Sequence, residues 1–569
     1  MPTMRRVVPT LCCLLIALFS RAQHEAATFV SPLGIQLLLS ANFGELRANH
    51  FHSGLDFKTQ GRTGLNVYAA DDGYVSRIAV SPWGYGKALY IDHPSGYTTV
   101  YAHLDDFASF IADTVLAIQY RRESFALDTT FAPGVMPVKR GMKVAVSGNS
   151  GSSGGPHLHF EIRHTSSESP IDPLPWYKSQ IKDNIAPEPR LVALYRHDAV
   201  HNGVRVPKAT REVVSVGSNS YKCKTNFEAW GRVSLGIKAY DRMSGTTNIY
   251  GVRNVRCYVD DVIVYQSCCD SITFSETRYI NAFIDFHELR SNKGSAIMRT
   301  YMQPGNEMGI VYDDMPGNGT FIIDEEREYK CRYELTDLYG NKSVVRFAIT
   351  GKKSAGTPKE PDGVLFSYGH DNEYATDEIN IHIPVGALYD DVYFEHSAKP
   401  SDAYYSSVHN VHYRTVPLHK HCDMSIKLMC DTLPDNKYYG VNIHSGKKST
   451  IIGQYDAGWY TMKVRDLGVY AVTADTIAPT ITPHNSEKWA TSGVVRFKIA
   501  DKESGISTYR GEIDGKFCLF EYDAKRNMLS CKLATAPISR NKTHKITISV
   551  ADHCGNTTTK QQTIKWSNN

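Results

Sequence analysis

Charge of one sign is what this sequence lacks most plainly. Basic and acidic side chains nearly cancel, 63 against 59, and no long basic run occurs, so nucleic acid is not an expected partner. Beyond the first residues there is no apolar stretch near the roughly 20 residues needed to cross a bilayer. The body of the chain should therefore contain no transmembrane segment. Cysteine is absent from Gln23 to Lys222, which excludes a thiol nucleophile from that stretch. The glycine-rich segment Ser147-Gly-Asn-Ser-Gly151-Ser-Ser-Gly154-Gly155 lacks the Lys-Ser/Thr pair and following helix of a phosphate cradle. Close backbone approach to an extended peptide is the better use for it.

What remains is an ordinary globular composition, 42% hydrophobic and 21% charged over 569 residues. A chain of this length exceeds a single hydrophobic core, so several domains are expected. Arg5-Arg6, the apolar run Val7 to Phe19 and Ser20-Arg-Ala22 before Gln23 have the pattern of a cleaved export signal. Cys12 and Cys13 lie inside that run without a lipid-attachment context.

From about Phe29 to Tyr177, β-branched and aromatic runs alternate with Gly, Pro, Asp and Ser, the pattern of a β-rich unit. Within it, His157-Leu-His159-Phe-Glu161 reads as a strand, and alternate side chains of a strand share a face. Two imidazoles then point at one spot. Should His52-Ser-Gly54-Leu-Asp56 lie beside that strand, the cluster gains a third imidazole and a carboxylate, the ligand chemistry of a Zn²⁺ site with an open position. On a straight strand residues four apart are separated by roughly 13 Å. Gly54 must therefore permit a kink or bulge. His103 ends another strand and taken alone would be a satisfied structural residue. His93, in His93-Pro-Ser-Gly96, reads as a turn residue. The less regular stretch from Asp105 to Pro137 carries apolar spacing suited to an amphipathic helix, read as a lid or flap on the core.

Taken in order, His52-x-Gly54-x-Asp56, Tyr101-Ala-His103-Leu104 and Gly155-Pro-His157-Leu-His159-Phe-Glu161 resemble the M23 family of zinc metallopeptidases, the lysostaphin and LytM type. The likeness covers roughly residues 40 to 177, and Asp172-Pro173 resembles the family's closing Val-Asp-Pro. It implies Zn²⁺ held by His52, Asp56 and His159, with His103 and His157 as the catalytic pair. One of that pair would serve as general base and the other would steady the oxyanion. Which does which is left open. Asn149 and Ser150 fall in the family's glycine-rich loop, as substrate contacts or as plain turn residues.

Beyond Tyr177 an internal repeat appears. Asp183-Asn-Ile-Ala-Pro187 returns as Asp475-Thr-Ile-Ala-Pro479, Tyr240-Asp-Arg-Met-Ser244-Gly245 as Ala500-Asp-Lys-Glu-Ser504-Gly505, and Asp337-Leu-Tyr-Gly340-Asn341 as Asp552-His-Cys-Gly555-Asn556. Alternating strands closed by such turns suit β-sandwiches and resemble bacterial immunoglobulin-like domains. The expected fold is mainly β: an antiparallel-sheet peptidase domain followed by two or three sandwiches. The boundaries are 1–22 for the signal, 23–180 for the peptidase, and 185–352, 360–472 and 476–569 for the sandwiches. Pro417-Leu-His419-Lys-His421-Cys422-Asp423 reads as a surface loop, since no second ligand pair has metal-site spacing. Export favours disulfides, with Cys422–Cys430 and Cys518–Cys531 as candidates.

The expected function is an exported zinc metalloendopeptidase cleaving peptidoglycan stems or cross-links, in the periplasm or cell envelope or released. The sandwiches would position it or bind an envelope partner. The rival is a non-catalytic wall-binding or regulatory protein using the peptidase fold for recognition. A third reading is cleavage of secreted proteins.

Overall fold

The structure, a computed structural model, describes residues 28–197, 208–291, 296–309, 311–353 and 363–566. The expected export signal lies outside the described residues, among which no helix is long and apolar enough to cross a membrane. The chain is mainly β throughout.

Eleven strands of the first unit form one sheet. Its main path runs Leu39–Ala41, Leu55–Lys58, His157–His164, Tyr97–Phe107, Lys87–Asp92, Gly73–Val80 and Pro137–Val138. Each pair along it is antiparallel. The strand period of two decides which side chains enter the core. Leu55, Phe57, Leu158, Phe160 and Ile162 are fully buried, with Leu158 opposite Phe57 and Phe160 opposite both Leu55 and Tyr101. Each such burial stabilises by about 1.5–3 kcal/mol, and a slip of one residue would turn all of them outward. The same register sets Asp56 opposite His159 on the other face.

The stretch expected to pack on the core as a helical flap does so, and it also serves as a platform. Ser109–Arg122 is a helix whose Ile111, Val115 and Ile118 are buried against the sheet, and it ends at Glu123 in a left-handed conformation. Its outer side meets the last domain: the Tyr120 hydroxyl donates to Thr535 O at 3.0 Å, the Tyr120 and Phe517 rings lie 5.7 Å apart, and Arg510 pairs with Glu123 at 2.7 Å.

The unit beginning at Glu188 has two sheets joined by one strand. Lys208–Gly217 pairs first with Glu188–Arg196 and then with Ser220–Cys223. This unit and the first share one continuous hydrophobic cluster from Phe29 to Tyr389. The next two units, a pair of five-stranded sheets and a pair of four-stranded sheets, have their own cores, as β-sandwiches require. The sequence repeat is also a spatial one. Asp183, Asp241 and Asp337 bring carboxylate oxygens within 4.8 Å of one another, and Asp475, Asp501 and Asp552 do the same.

Two local expectations change. His419, His421 and Cys422 lie on the Pro417–Lys427 strand rather than in a loop, because Leu418, Cys422, Met424 and Ile426 alternate into the core. His419 stacks on Tyr279 at 4.1 Å. All ten described cysteines are free thiols, so neither expected disulfide is formed. Cys422 sits inside its strand's apolar face, whereas Cys430 is exposed past the strand's end.

Candidate metal centre

Three side chains from two adjacent strands and the loop before them meet at one point. Asp56 and His159 face each other across the ladder. His52 reaches the same place because the chain turns at Ser53-Gly54 before the Leu55–Lys58 strand begins. That turn presses Gly54 against the neighbouring strand, where a Cβ would lie 2.3 Å from Phe160 O. Only glycine allows this approach. The separations are 3.0 Å from His52 Nε2 to Asp56 Oδ1, 2.8 Å from His159 Nδ1 to Asp56 Oδ1 and 3.0 Å from His52 Nε2 to His159 Nδ1. All three residues are buried.

The surroundings dictate the tautomers. His52 Nδ1 donates to Asn42 O at 2.7 Å, and since a carbonyl only accepts, Nε2 keeps its lone pair. His159 Nε2 donates to the buried Glu161 carboxylate at 2.8 Å, which leaves Nδ1 as the free donor atom. Arg47 holds the other oxygen of Asp56 at 2.9 Å. Three lone pairs thus converge, an arrangement that repels itself unless a cation or shared proton sits among them. The donor set fits a metal ion with three protein ligands, and the hydrogen bonds to each ligand are those that orient metal-bound imidazoles.

Burial opposes charge on Asp56, and with a proton shared among the His52, His157 and His159 rings its carboxyl is held well below the usual carboxylate range. Burial likewise opposes charge on Glu161, and Arg163 and His159 outweigh it, again holding the carboxyl low. Glu161 also accepts from Ser53 Oγ at 2.6 Å and Tyr85 OH at 2.5 Å, and it takes Arg163 Nε at 2.6 Å. These supports extend the His157, His159 face by two more alternate positions, Glu161 and Arg163. That periodicity was visible in the sequence, where only the histidines were assigned roles. Arg47 on the short Leu46–Arg47 strand, Asn42 just after Leu39–Ala41 and Tyr85 in a turn left no comparable signal.

His157 and His103 stand beside the cluster, their rings 4.8 Å apart. His157 Nε2 lies 3.4 Å from Asp56 Oδ1, and its Nδ1 donates to Gly155 O at 2.8 Å. His103 reaches the site through a bulge. Leu89 pairs with Tyr101 but Lys87 with Leu104, so one extra residue is inserted, and His103 takes φ 58°. Strain of this kind is kept where it re-aims a functional side chain. Its Nδ1 donates to Ser150 O at 2.9 Å. Burial, with His159 and His157 nearby, pushes its pKa down to about 3, so this ring is neutral at ordinary pH.

The glycine-rich loop divides its work. Gly148 and Gly151 are needed for packing, since added Cβ atoms would meet Asp105 N and Gly86 N at 2.3 Å. Gly154 and Gly155 face open space. Ser150 is an anchor, its Oγ donating to Leu104 O at 2.7 Å and accepting from Lys87 N at 3.0 Å. His93 is a satisfied structural residue, bonded to Asp72 O and Thr99 Oγ1, each at 2.8 Å.

The family model described as Peptidase family M23 matches residues 50–119, and that of a Zu5-like domain matches residues 363–475. An uncharacterized metalloprotease of Haemophilus influenzae is 33% identical over 111 residues, 20% of this chain and 18% of that protein. The peptidoglycan DD-endopeptidase ShyB of Vibrio cholerae is 35% identical over 111 residues, 20% of each. The chain thus spans about a fifth of the length of these curated relatives. Among solved structures, a zinc-containing peptidase from Vibrio cholerae is 30% identical, covering 26% of this chain and 39% of that one with a TM-score of 0.20.

Proposed function

We propose that the M23-type domain of this chain is a zinc-dependent endopeptidase acting on amide bonds of peptidoglycan peptides. The observation that carries the reading is the convergence of His52 Nε2, Asp56 Oδ1 and His159 Nδ1, each with its lone pair free and its far side anchored. When bound there, zinc would supply Lewis acidity and a water acidic enough to react at neutral pH.

The remaining steps belong to the chain's own side chains. His103 and His157 both donate Nδ1–H to backbone carbonyls, which leaves Nε2 of each ring as the nitrogen able to exchange a proton. Proton uptake from the attacking water at one Nε2 yields a ring that can later hand that proton to the leaving amine. The second ring, close by, is available to steady charge on the carbonyl oxygen. Gly154 and Gly155, with open space beside them, allow an extended peptide to approach the backbone.

Peptidoglycan as substrate is supported by the similarity to ShyB, a peptidoglycan DD-endopeptidase, and by the export-like pattern from Arg5 to Ala22. The envelope is accordingly the proposed location, and immunoglobulin-like character is proposed for the sandwiches of the repeat. The test is digestion of purified sacculi by the full chain, with and without added zinc, followed by mass spectrometry of released muropeptides. New peptide ends that require zinc and vanish in His159→Ala are expected. Binding to sacculi without any release would overturn the hydrolase reading and leave a recognition module. Cleavage of glycine-rich peptides alone would reassign the substrate.

A further inference from the structure

We propose that Lys525, in the last sandwich, is a positioning residue for the peptidase site: its ammonium clamps the 148–155 loop in the shape that anchors both His103 and His157. The inference rests on the hydrolase reading above and adds a role for the C-terminal domain that the reading does not contain.

Lys525 lies in the turn between the Glu521–Asp523 and Met528–Lys532 strands. Its Nζ donates to Asn149 O and, at 3.1 Å, to Ser153 O. Between and beside these carbonyls the same loop supplies the acceptors of the two histidines. Ser150 O takes His103 Nδ1 at 2.9 Å. Gly155 O takes His157 Nδ1 at 2.8 Å, and Ser153 Oγ lies 3.2 Å from that nitrogen. One cation therefore spans the segment from which both rings are hung.

The loop needs such a clamp. Ser147 to Gly155 holds four glycines, and ordering a residue costs conformational entropy, with glycine the most expensive. Inside its own domain the loop is held near Gly148, Ser150, Gly151 and Ser152, while beyond Ser152 the Gly155 carbonyl takes Ser153 Oγ and His157 Nδ1 and Cβ atoms at Gly154 and Gly155 would meet open space. Lys525 grips Ser153, at the start of that less supported end. The turn that carries it is itself held in place. Glu521 pairs with Lys87 at 3.1 Å and Lys532 with Asp106 at 3.3 Å, while Tyr120 on the platform helix holds Thr535. The helix read as a lid is thus the base on which a distant domain is seated, within reach of the loop.

The test uses the full chain with Lys525→Met, which keeps the stem and removes the charge, and Lys525→Arg, which keeps the charge. Arg510→Ala is the control, since it breaks a contact of the same interface with Glu123 away from the loop. Steady-state cleavage of a soluble stem peptide, bound zinc, and hydrogen exchange of the 148–155 amides are measured on each. Lys525→Met should lower kcat about 10–100-fold, the scale set by misplacing reacting groups, with KM and zinc content little changed and loop exchange faster. Lys525→Arg should restore most of kcat, and Arg510→Ala should match the parent in both rate and exchange. Equal rates and equal exchange in Lys525→Met and the parent would overturn the clamp. So would an equal loss in Arg510→Ala, which would make Lys525 a plain docking contact. If the parent cleaves nothing, the hydrolase reading fails, and the exchange data alone decide whether Lys525 orders the loop.

Discussion

Glu161 accepts the Nε2–H of His159 at 2.8 Å, and that single bond decides which imidazole nitrogen faces Asp56. The carboxylate is fully buried and also receives Ser53, Tyr85 and Arg163. It can hold one orientation only. Glu161→Gln keeps the shape and removes the charge, so the tautomer preference and the basicity of His159 both fall. Zinc affinity should drop by about 10–100-fold, the usual cost of losing such a partner. Competition against a chelating dye reads this directly, and an unchanged affinity would count against the assignment.

His103 and His157 stand beside the cluster, and on the proposed reading they handle protons and the metal is held without them. Replacing either with alanine should leave the metal content at the parent level while turnover falls about 10²–10⁴-fold, the range for losing a general acid–base. Metal analysis alongside cleavage rates separates this from a ligand role. Loss of metal in either variant would move that histidine into the ligand set.

Gly54 is a steric requirement. A Cβ there would sit 2.3 Å from Phe160 O and 2.9 Å from Glu161 Cγ, and the backbone oxygen of a central strand cannot yield. Gly54→Ala should destabilise by about 1–3 kcal/mol, as overpacking does, and should weaken metal binding by spreading His52 from Asp56. Gly154→Ala meets open space and should leave the melting temperature unchanged. Thermal unfolding of the pair makes the comparison, and equal melting temperatures would refute it.

Asp241 should make stability fall with rising pH. Burial, assisted by Asp337 and Asp183, pushes its carboxyl up to about 8 from 3.8. Between those values the folded chain keeps a proton that the unfolded chain releases. The contribution is therefore full below about pH 4, and it is lost as pH climbs through about 8, with a slope of at most about 1.4 kcal/mol per unit. Asp241→Asn should flatten this part of the profile. Urea unfolding at pH 5 and pH 8 measures it, and identical pH dependence in both proteins would exclude Asp241 as the source.

How much of this was legible beforehand depended on distance along the chain. The His157-x-His159 alternation and the need for a bend at Gly54 follow from local strand geometry, and the mainly β fold follows from β-branched runs between turn residues. The helix within 105–137 was also readable, but not its outer neighbour. Apolar spacing reveals one buried face and says nothing of Tyr120 meeting Phe517. The strand at Pro417–Lys427 differs from the expected loop, because its histidines and lysine obscure the alternation of Leu418, Cys422, Met424 and Ile426.

By itself the sequence determined which side chains share a face, since that depends only on the backbone repeat of each strand. Tertiary structure alone decided what other parts of the chain set behind those side chains: Asn42 behind His52, Arg47 behind Asp56, and Lys525 behind the loop whose carbonyls hold both flanking rings. The physical reason is that a strand's period is a property of consecutive residues, whereas a hydrogen-bond partner from another domain is selected by how whole cores pack. No spacing along the chain records that choice.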